Sequence, residues 1–346
     1  MARTVRVALV GVGNVGRAFL GLMTTKRQVL RQRYGIELVL AGAADSSGAV
    51  FGPAQLDPAI MLRHKEAGHG VGHYSRYGQR GLPAAEMVRQ IAADVLLEAS
   101  PVDLKSGQPG LDCVRAALAR GMAVVLANKA PLALAYRELM EKASAPGAGG
   151  LRFSATVCGS LPVINIGQRD LAACTIERVE GILNSTTNYI LTAMEAGRSF
   201  EGALRQAKAE GVAEADPSLD IQGWDAANKL VIIANAVLET PATLQDVDVL
   251  GIQDLTPDDL KAARARGQVI KLIAAALRQP NGDYRLSVHP AALPLDHPLA
   301  TTSGWEMGIV WHTDLMGVQF AKVDERGPTP TAAAMLRDVI SLYQTV

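Results

Sequence analysis

The sequence predicts an α/β protein: a doubly wound parallel sheet, followed by an α+β region. Three observations carry this expectation. Over the first 150 residues, short β-branched runs alternate with helix-length stretches, the pattern of parallel strands joined by crossover helices. A glycine-rich turn, Gly11-Val-Gly13-Asn-Val-Gly16, follows the first run directly. A breaker cluster, Ala145-Pro-Gly-Ala-Gly-Gly150, then marks a boundary beyond which strict alternation stops.

The elements follow in order. Val5–Val10, Leu38–Ala43, Asp94–Glu98 and Ala123–Ala127 read as strands, and Val15–Arg31, Ala84–Ala92, Leu111–Arg120 and Leu132–Ala143 as helices. Past the boundary, Leu151–Val157 and Thr175–Leu183 read as strands, and Thr186–Ala196, Phe200–Glu210 and Trp224–Leu238 as helices. Thr256 is a helix N-cap with Pro257 at the first helical position. That helix is expected to run to about Arg278. Tyr284–His289, Ile309–His312 and Gly317–Val323 read as strands, and Thr331–Tyr343 as a closing helix.

Composition excludes several classes. Lys+Arg and Asp+Glu both number 34 in 346 residues, so the formal net charge is zero. A nucleic-acid binder carries a basic excess, and aromatic residues at 4% leave little for base stacking. No nucleic-acid partner is therefore expected, while self-association is tolerated. The N-terminus lacks signal-peptide architecture, and no apolar run reaches the roughly 18 residues of a membrane span. Cys113, Cys158 and Cys174 have neither disulfide-framework nor zinc spacing and read as small buried hydrophobes. A soluble, reduced, cytoplasmic protein is the expectation.

Gly11, Gly13 and Gly16 form G-x-G-x-x-G between a strand and a helix. In that place Gly11 makes the tight turn, Gly13 admits a pyrophosphate to the backbone, and Gly16 lets helix and strand pack closely. Asn14 lies in the glycine turn and Val15 opens the helix whose N-terminus faces the phosphates. The placement predicts a Rossmann dinucleotide site; a glycine turn of purely structural use is the alternative. Asp45, 29 residues past Gly16, stands at the end of the second strand, where a carboxylate holds the ribose hydroxyls of NAD. That is further than the usual spacing of about 20. Asp45 equally fits the cap of a local turn. No basic residue follows at once to clamp a 2′-phosphate, and NAD and NADP both remain open.

The densest chemistry lies in Gly211–Lys229. Glu214, Asp216, Asp220, Asp225 and Lys229 fall there, with Asp225 and Lys229 at i and i+4 on one helical face. A surface salt bridge accounts for the last two but leaves Glu214 and Asp220 unexplained. A small zwitterionic substrate accounts for all: carboxylates take its ammonium, and a lysine fixed by an aspartate gives a proton to a reacting carbonyl. Trp224 beside them reads as a core anchor or as a wall of the substrate pocket. At Asn128-Lys129 a strand end runs into a lysine, at the carboxyl edge where open α/β sheets bind ligands. At Asn184-Ser185-Thr186-Thr187 a strand gives way to a helix whose hydroxyls cap it or whose amides receive a substrate carboxylate.

The order of GxGxxG, Asn-Lys, Thr156-Val-x-x-x-Leu-Pro162, Gly181-Ile-Leu-Asn-x-Thr-Thr-Asn-Tyr-Ile190 and Glu214-Ala-Asp-Pro…Asp220-x-x-Gly-x-Asp-x-x-x-Lys229 resembles homoserine dehydrogenase over nearly the whole chain. The resemblance implies reversible hydride transfer between NADH or NADPH and aspartate 4-semialdehyde, giving L-homoserine for threonine and methionine. It implies that Lys229, with Asp225 beside it, and Lys129 are the active-site lysines. Glu214 and Asp220 would take the substrate ammonium, Ser185 and Thr186 its other end, and Ala99, Ser100 and Asn128 would line the cofactor. It implies a dinucleotide domain, 1–150, to which a helix at 328–346 returns, and a catalytic and dimerisation domain, 151–327. A homodimer is expected, with contacts from strands around Leu151–Val157 and the C-terminal third. A monovalent cation, Na+ or K+, would bind the backbone carbonyls of Val157, Gly159 and Leu161. Here, however, Ser154 stands where the family's glutamate ligand does, and Cys158 and Ser160 interrupt a glycine- or alanine-rich triplet. Ser185 and Val212 also depart from the common glycine and aromatic. Neither a regulatory nor a kinase domain is expected.

Two other functions fit the residues. The departures at Ser185 and Val212 suit a related dehydrogenase of another small amino or hydroxy acid, which a substrate panel would reveal. A non-catalytic dinucleotide-binding sensor would bind cofactor without turnover, and the two lysines and the carboxylates argue against it. His64, His69 and His73 lie in a glycine-rich stretch that reads as a mobile loop over the cofactor, not as a metal site. Cys158 reads as a packed side chain before a reactive thiol.

Overall fold

Strand β1 (Arg3–Val10) shows what kind of sheet this is. Its buried positions alternate at first and then become continuous from Val7 to Val10, as a strand covered on both faces requires. The structure, a computed structural model, describes residues 2–344. Thr345 and Val346, the end of the expected 328–346 stretch, lie outside the described residues. Two compact units emerge: residues up to Ser160 together with those from Gly327 on, and Leu161–Arg326.

In the first unit β1 is followed by α1 (Asn14–Thr25), α2 (Arg27–Tyr34), β2 (Ile36–Asp45), β3 (Gly48–Leu56), α3 (Pro58–Glu66), β4 (Gly78–Arg80), α4 (Ala84–Gln90) and β5 (Val95–Glu98). Then come α5 (Gly110–Ala119), β6 (Ala123–Leu126), α6 (Ala130–Ala143) and β7 (Leu151–Arg152). The sheet order is β4-β3-β2-β1-β5-β6-β7. From β2 to β7 the pairs are parallel, while β3 and β4 add an antiparallel edge.

Three expectations need correction here. The single helix expected over Val15–Arg31 is two, broken at Lys26. The hydroxyls of Thr24 and Thr25 bond back to Leu20 and Gly21 at 3.4 and 3.0 Å, an interaction that bends helices. The strand expected over Leu151–Val157 stops at Arg152 and a 3-10 turn follows at Ser154–Thr156. Asp338 causes this by accepting from the Ser154 amide at 2.8 Å and its hydroxyl at 2.7 Å. Because β7 still pairs with β6, the first unit continues past the Gly150 cluster to Ser160.

The second unit holds α7 (Val163–Asn165, running into a π-helical turn), β8 (Ile176–Ile182), α8 (Ser185–Glu195), α9 (Phe200–Ala209), α10 (Ser218–Ile221) and α11 (Trp224–Ala236). These are followed by β9 (Val247–Val249), α12 (Pro257–Ala265), β10 (Gln268–Arg278), β11 (Tyr284–Pro294), β12 (Glu306–Thr313) and β13 (Gly317–Asp324). Its sheet runs β13-β12-β8-β10-β11-β9 and is antiparallel except for β9 on β11. Thr256 caps α12 as expected, its hydroxyl and Asp259 forming a capping box. The helix does not reach Arg278, however. Gly267, at φ +71°, turns the chain, and β10 then pairs along its whole length with β11. An apolar run with β-branched Val269, Ile270 and Ile273 satisfies a central strand better than a helix.

The chain closes with α13 (Thr329–Tyr343), which returns to the first unit. Its Ala332, Met335, Leu336 and Val339 join the core that β1, β2 and α1 build. Among the described residues no helix is long and apolar enough to cross a membrane.

Candidate active site

At the carboxyl edge of the first sheet the backbone itself makes a cradle. Gly11 sits at φ +87°, where a Cβ would stand 2.3 Å from the carbonyl of Ala99. A Cβ on Gly16 would stand 2.1 Å from the Gly11 oxygen, whereas around Gly13 there is open space. Two glycines thus let turn, helix and neighbouring loop touch, and the third leaves room for a ligand. Gly13 caps α1 without a side-chain hydrogen bond, and the first turn, which Asn14 and Val15 open, carries no acidic residue. Its amides and positive dipole end suit an anionic pyrophosphate. Beside it Asn128 donates to the Ser100 hydroxyl at 3.2 Å and the Pro101 carbonyl at 3.4 Å, and it accepts from the Ala130 amide at 2.9 Å. Lys129, half-buried, is the N-cap residue of α6.

Asp45 ends β2, but its carboxylate is already engaged. Oδ1 accepts from the Ser47 amide and hydroxyl at 2.9 and 2.5 Å. Oδ2 accepts from Lys65 at 2.5 Å and from the Val71 amide at 3.1 Å. Burial pushes this carboxyl up, yet Lys65, Ser47 and Val71 together hold it below the usual range. The sequence reading missed Lys65, which comes from α3. The stretch expected to be a mobile loop is packed instead. His64 bonds the Gly70 carbonyl at 2.9 Å, Gly72 donates to Ser47 at 3.0 Å, and Val71 is buried.

In the second unit β8, α8 and α11 converge on a polar cluster. Lys229 donates to Asp225 at 2.8 Å and to the Leu183 carbonyl at 2.6 Å. Asn184 donates to Asp220 and to Asp225, each at 2.7 Å. The same Asn184 caps α8 through the Thr187 amide at 2.8 Å. Asp225, Asn184 and Thr186 are buried, and the Lys229 side chain is only 13% exposed. The cluster therefore forms where the strand-to-helix turn meets the first turn of α11. Gly223, at φ +87°, lets the chain enter that helix. Asn184 is not among the expected site residues, although it stands at a helix start and inside the Gly181–Ile190 motif. Asp220 lies on the short α10. Ser185 begins α8, and Thr186 donates to the Val212 carbonyl at 2.9 Å, fastening the 211–217 turn on which Glu214 is exposed. Trp224 is 37% exposed and is not a core anchor.

The expected cation segment is arranged differently. Ser154 supplies no carboxylate, and its hydroxyl is given to Asp338. The Arg337 guanidinium donates to the Ser160 carbonyl at 3.2 Å and to the Ser154 oxygen at 3.0 Å, bringing a positive charge of its own. The Leu161 carbonyl accepts from Val163 at 2.8 Å. Cys158 and Gly159 take positive φ, and Val157 and Cys158 are buried. With no carboxylate at 154, a guanidinium on the segment and one carbonyl engaged, Val157, Gly159 and Leu161 do not fit a monovalent cation.

Residues 162–340 match the family model described as homoserine dehydrogenase. The chain is 37% identical to a homoserine dehydrogenase of Methanocaldococcus jannaschii, covering 98% of each protein. It is 36% identical to an NAD(+)-dependent homoserine dehydrogenase of Pseudomonas canavaninivorans, over 98% of this chain and 96% of the other. Among solved structures it resembles a putative homoserine dehydrogenase from Archaeoglobus fulgidus, with TM-score 0.88, 37% identity and 99% and 100% coverage. It also resembles a hyperthermophilic archaeal homoserine dehydrogenase in complex with NADPH, with TM-score 0.84, 28% identity and 98% coverage of each.

Proposed function

We propose how each residue acts from the premise that this chain belongs to the homoserine dehydrogenase family. Its reaction is the reversible reduction of aspartate 4-semialdehyde to L-homoserine with NADH or NADPH. Lys229 gives the proton to the aldehyde oxygen as it becomes an alkoxide, and takes one back in the reverse direction. Asp225 holds that ammonium in place. Asp220 and Glu214 take the substrate ammonium, and the α8 start at Ser185 and Thr186 receives its carboxylate. Gly11, Gly13, Asn14, Val15 and Gly16 hold the pyrophosphate. Ala99, Ser100, Asn128 and Lys129 border the nicotinamide. Asp45, paired with Lys65, faces the adenosine ribose. The nicotinamide, when bound, supplies the hydride; the protein positions the aldehyde and stabilises the developing charge. No step passes through a metal ion.

One observation carries this reading above the rest: the Lys229 ammonium is fixed by Asp225 and by a backbone carbonyl, while Asn184 ties Asp220 into the same network. A surface ion pair has no use for such a frame. Homodimerisation belongs to the same reading. Leu315, Met316, Val318 and Phe320 are exposed around the β12–β13 hairpin and would be covered by a second copy. The contact expected at Leu151–Val157 draws no support, because Leu151, Ala155 and Val157 are already buried. The test is semialdehyde-dependent oxidation of NADH and NADPH, measured side by side. Turnover with at least one is expected, and none with either contradicts the assignment.

A further inference from the structure

Glu98 ends β5 with no exposed surface at all. Its Oε1 accepts from the Ser100 amide at 2.9 Å, and its backbone carbonyl accepts from the Ala127 amide at 2.9 Å. Oε2 makes no hydrogen bond. The start of α5 closes over the group: a Cβ on Gly110 would stand 2.8 Å from Asn128 Nδ2 and 3.0 Å from Glu98 Oε2. Burial pushes the carboxyl up to about 7, while Ser100 and Asn128 pull it back. The Cys113 thiol on α5 is a titratable neighbour, itself pushed up by burial and by Glu98, and Asp112 and Arg89 act on that thiol. No cation is among the groups that set the state of Glu98.

A buried carboxyl without a cation is costly, and an apolar side chain would end this strand more stably. What it touches shows its use. The Ser100 amide belongs to the 99–101 turn, and the Ser100 hydroxyl accepts from Asn128, which precedes Lys129. We propose that Glu98 is a positioning residue for the reaction: its carboxyl sets the 99–101 turn and, through Ser100 and Asn128, the Asn128-Lys129 turn that borders the nicotinamide. This rests on reading that sheet edge as the dinucleotide site. Glu98 acts through other residues and touches neither substrate nor cofactor.

The test compares Glu98→Leu with Glu98→Gln, which keeps an acceptor for Ser100. Three quantities are followed: NADPH and NADH affinity by fluorescence titration, melting temperature at pH 8, and hydrogen exchange of the Ser100 amide. Glu98→Leu should bind dinucleotide about tenfold more weakly, the effect of one lost hydrogen bond on an aligned loop. Its Ser100 amide should exchange faster, while its melting temperature stays at or above wild type. Glu98→Gln should stay within about threefold of wild-type affinity. A merely structural glutamate would lower affinity only together with stability. Wild-type affinity in Glu98→Leu, an equal loss in Glu98→Gln, or a Glu98→Leu chain that does not fold each overturns the proposal. A wild-type protein that binds neither dinucleotide fails differently, because it overturns the site reading beneath it.

Discussion

The two polar regions of this chain are built in opposite ways. The carboxyl edge of the first sheet works with backbone: glycines, free helix amides and one buried carboxyl that meets no cation. The cluster in the second unit works with charged side chains, and there the cation lies on a carboxylate, with Asn184 bridging two of the acids. The difference follows the chemistry. An anionic dinucleotide is held by fixed N–H groups and needs close approach, so side chains are removed. A proton is handled by an ionisable group, so charges are brought in and then restrained.

The largest effects should come from returning side chains to the backbone-built region. Gly16→Ala places a Cβ 2.1 Å from the Gly11 oxygen. It should cost about 1–3 kcal/mol of stability and dinucleotide binding with it. Gly13→Ala meets nothing within 4 Å, so its melting temperature should hold while affinity falls at least about tenfold. Calorimetric melting and fluorescence titration on both variants check this. If the two lose binding and stability in parallel, Gly13 is not where the ligand lies.

The next effect separates the buried carboxyl from the paired ones. Glu98 is raised from 4.5 to about 7 in the folded protein, so the folded state holds its proton more tightly than the unfolded chain does. The stability this brings is complete below about 4.5 and is lost as pH rises through about 7, a change of at most about 3 kcal/mol. Glu98→Gln should remove this component. Denaturant melts of both proteins at pH 5 and pH 8 measure it, and an unchanged pH difference in the variant would count against the buried charge. The smallest effect is expected at Asn184→Ala, which removes a helix cap and two bonds to carboxylates. A stability loss of about 1–2 kcal/mol is expected, together with a raised KM for homoserine and an unchanged KM for the dinucleotide. A shift in the dinucleotide KM alone would reverse the division between the two regions.

The two regions were also unequally legible from residues alone. The glycine spacing states its own geometry, and Asp225 and Lys229 are recognisable because i and i+4 share a helix face. Groups brought together only by tertiary packing were hidden. Lys65 reaches Asp45 from a helix 20 residues on, and Asp338 reaches Ser154 from 184 residues away, cutting a strand short. Glu98 reads as the end of an apolar strand, with nothing in Val95-Leu-Leu-Glu98 to mark what it holds. Local ambiguity accounts for the rest. The apolar run of β10 reads as the end of the helix that Thr256 caps, although its β-branched residues favour a strand, and pairing with β11 decides it. The break at Lys26 depends on hydroxyls bonding back into the helix, which no periodicity shows.

The central claim is that proton transfer belongs to Lys229 while dinucleotide binding belongs to the other region. It is tested most directly by Lys229→Ala, assayed for homoserine oxidation and, separately, for NADPH and NADH affinity. The account predicts a kcat lower by at least about 10²-fold with both dinucleotide affinities unchanged. A variant that keeps wild-type kcat, or that loses activity only because it no longer binds the dinucleotide, would contradict it.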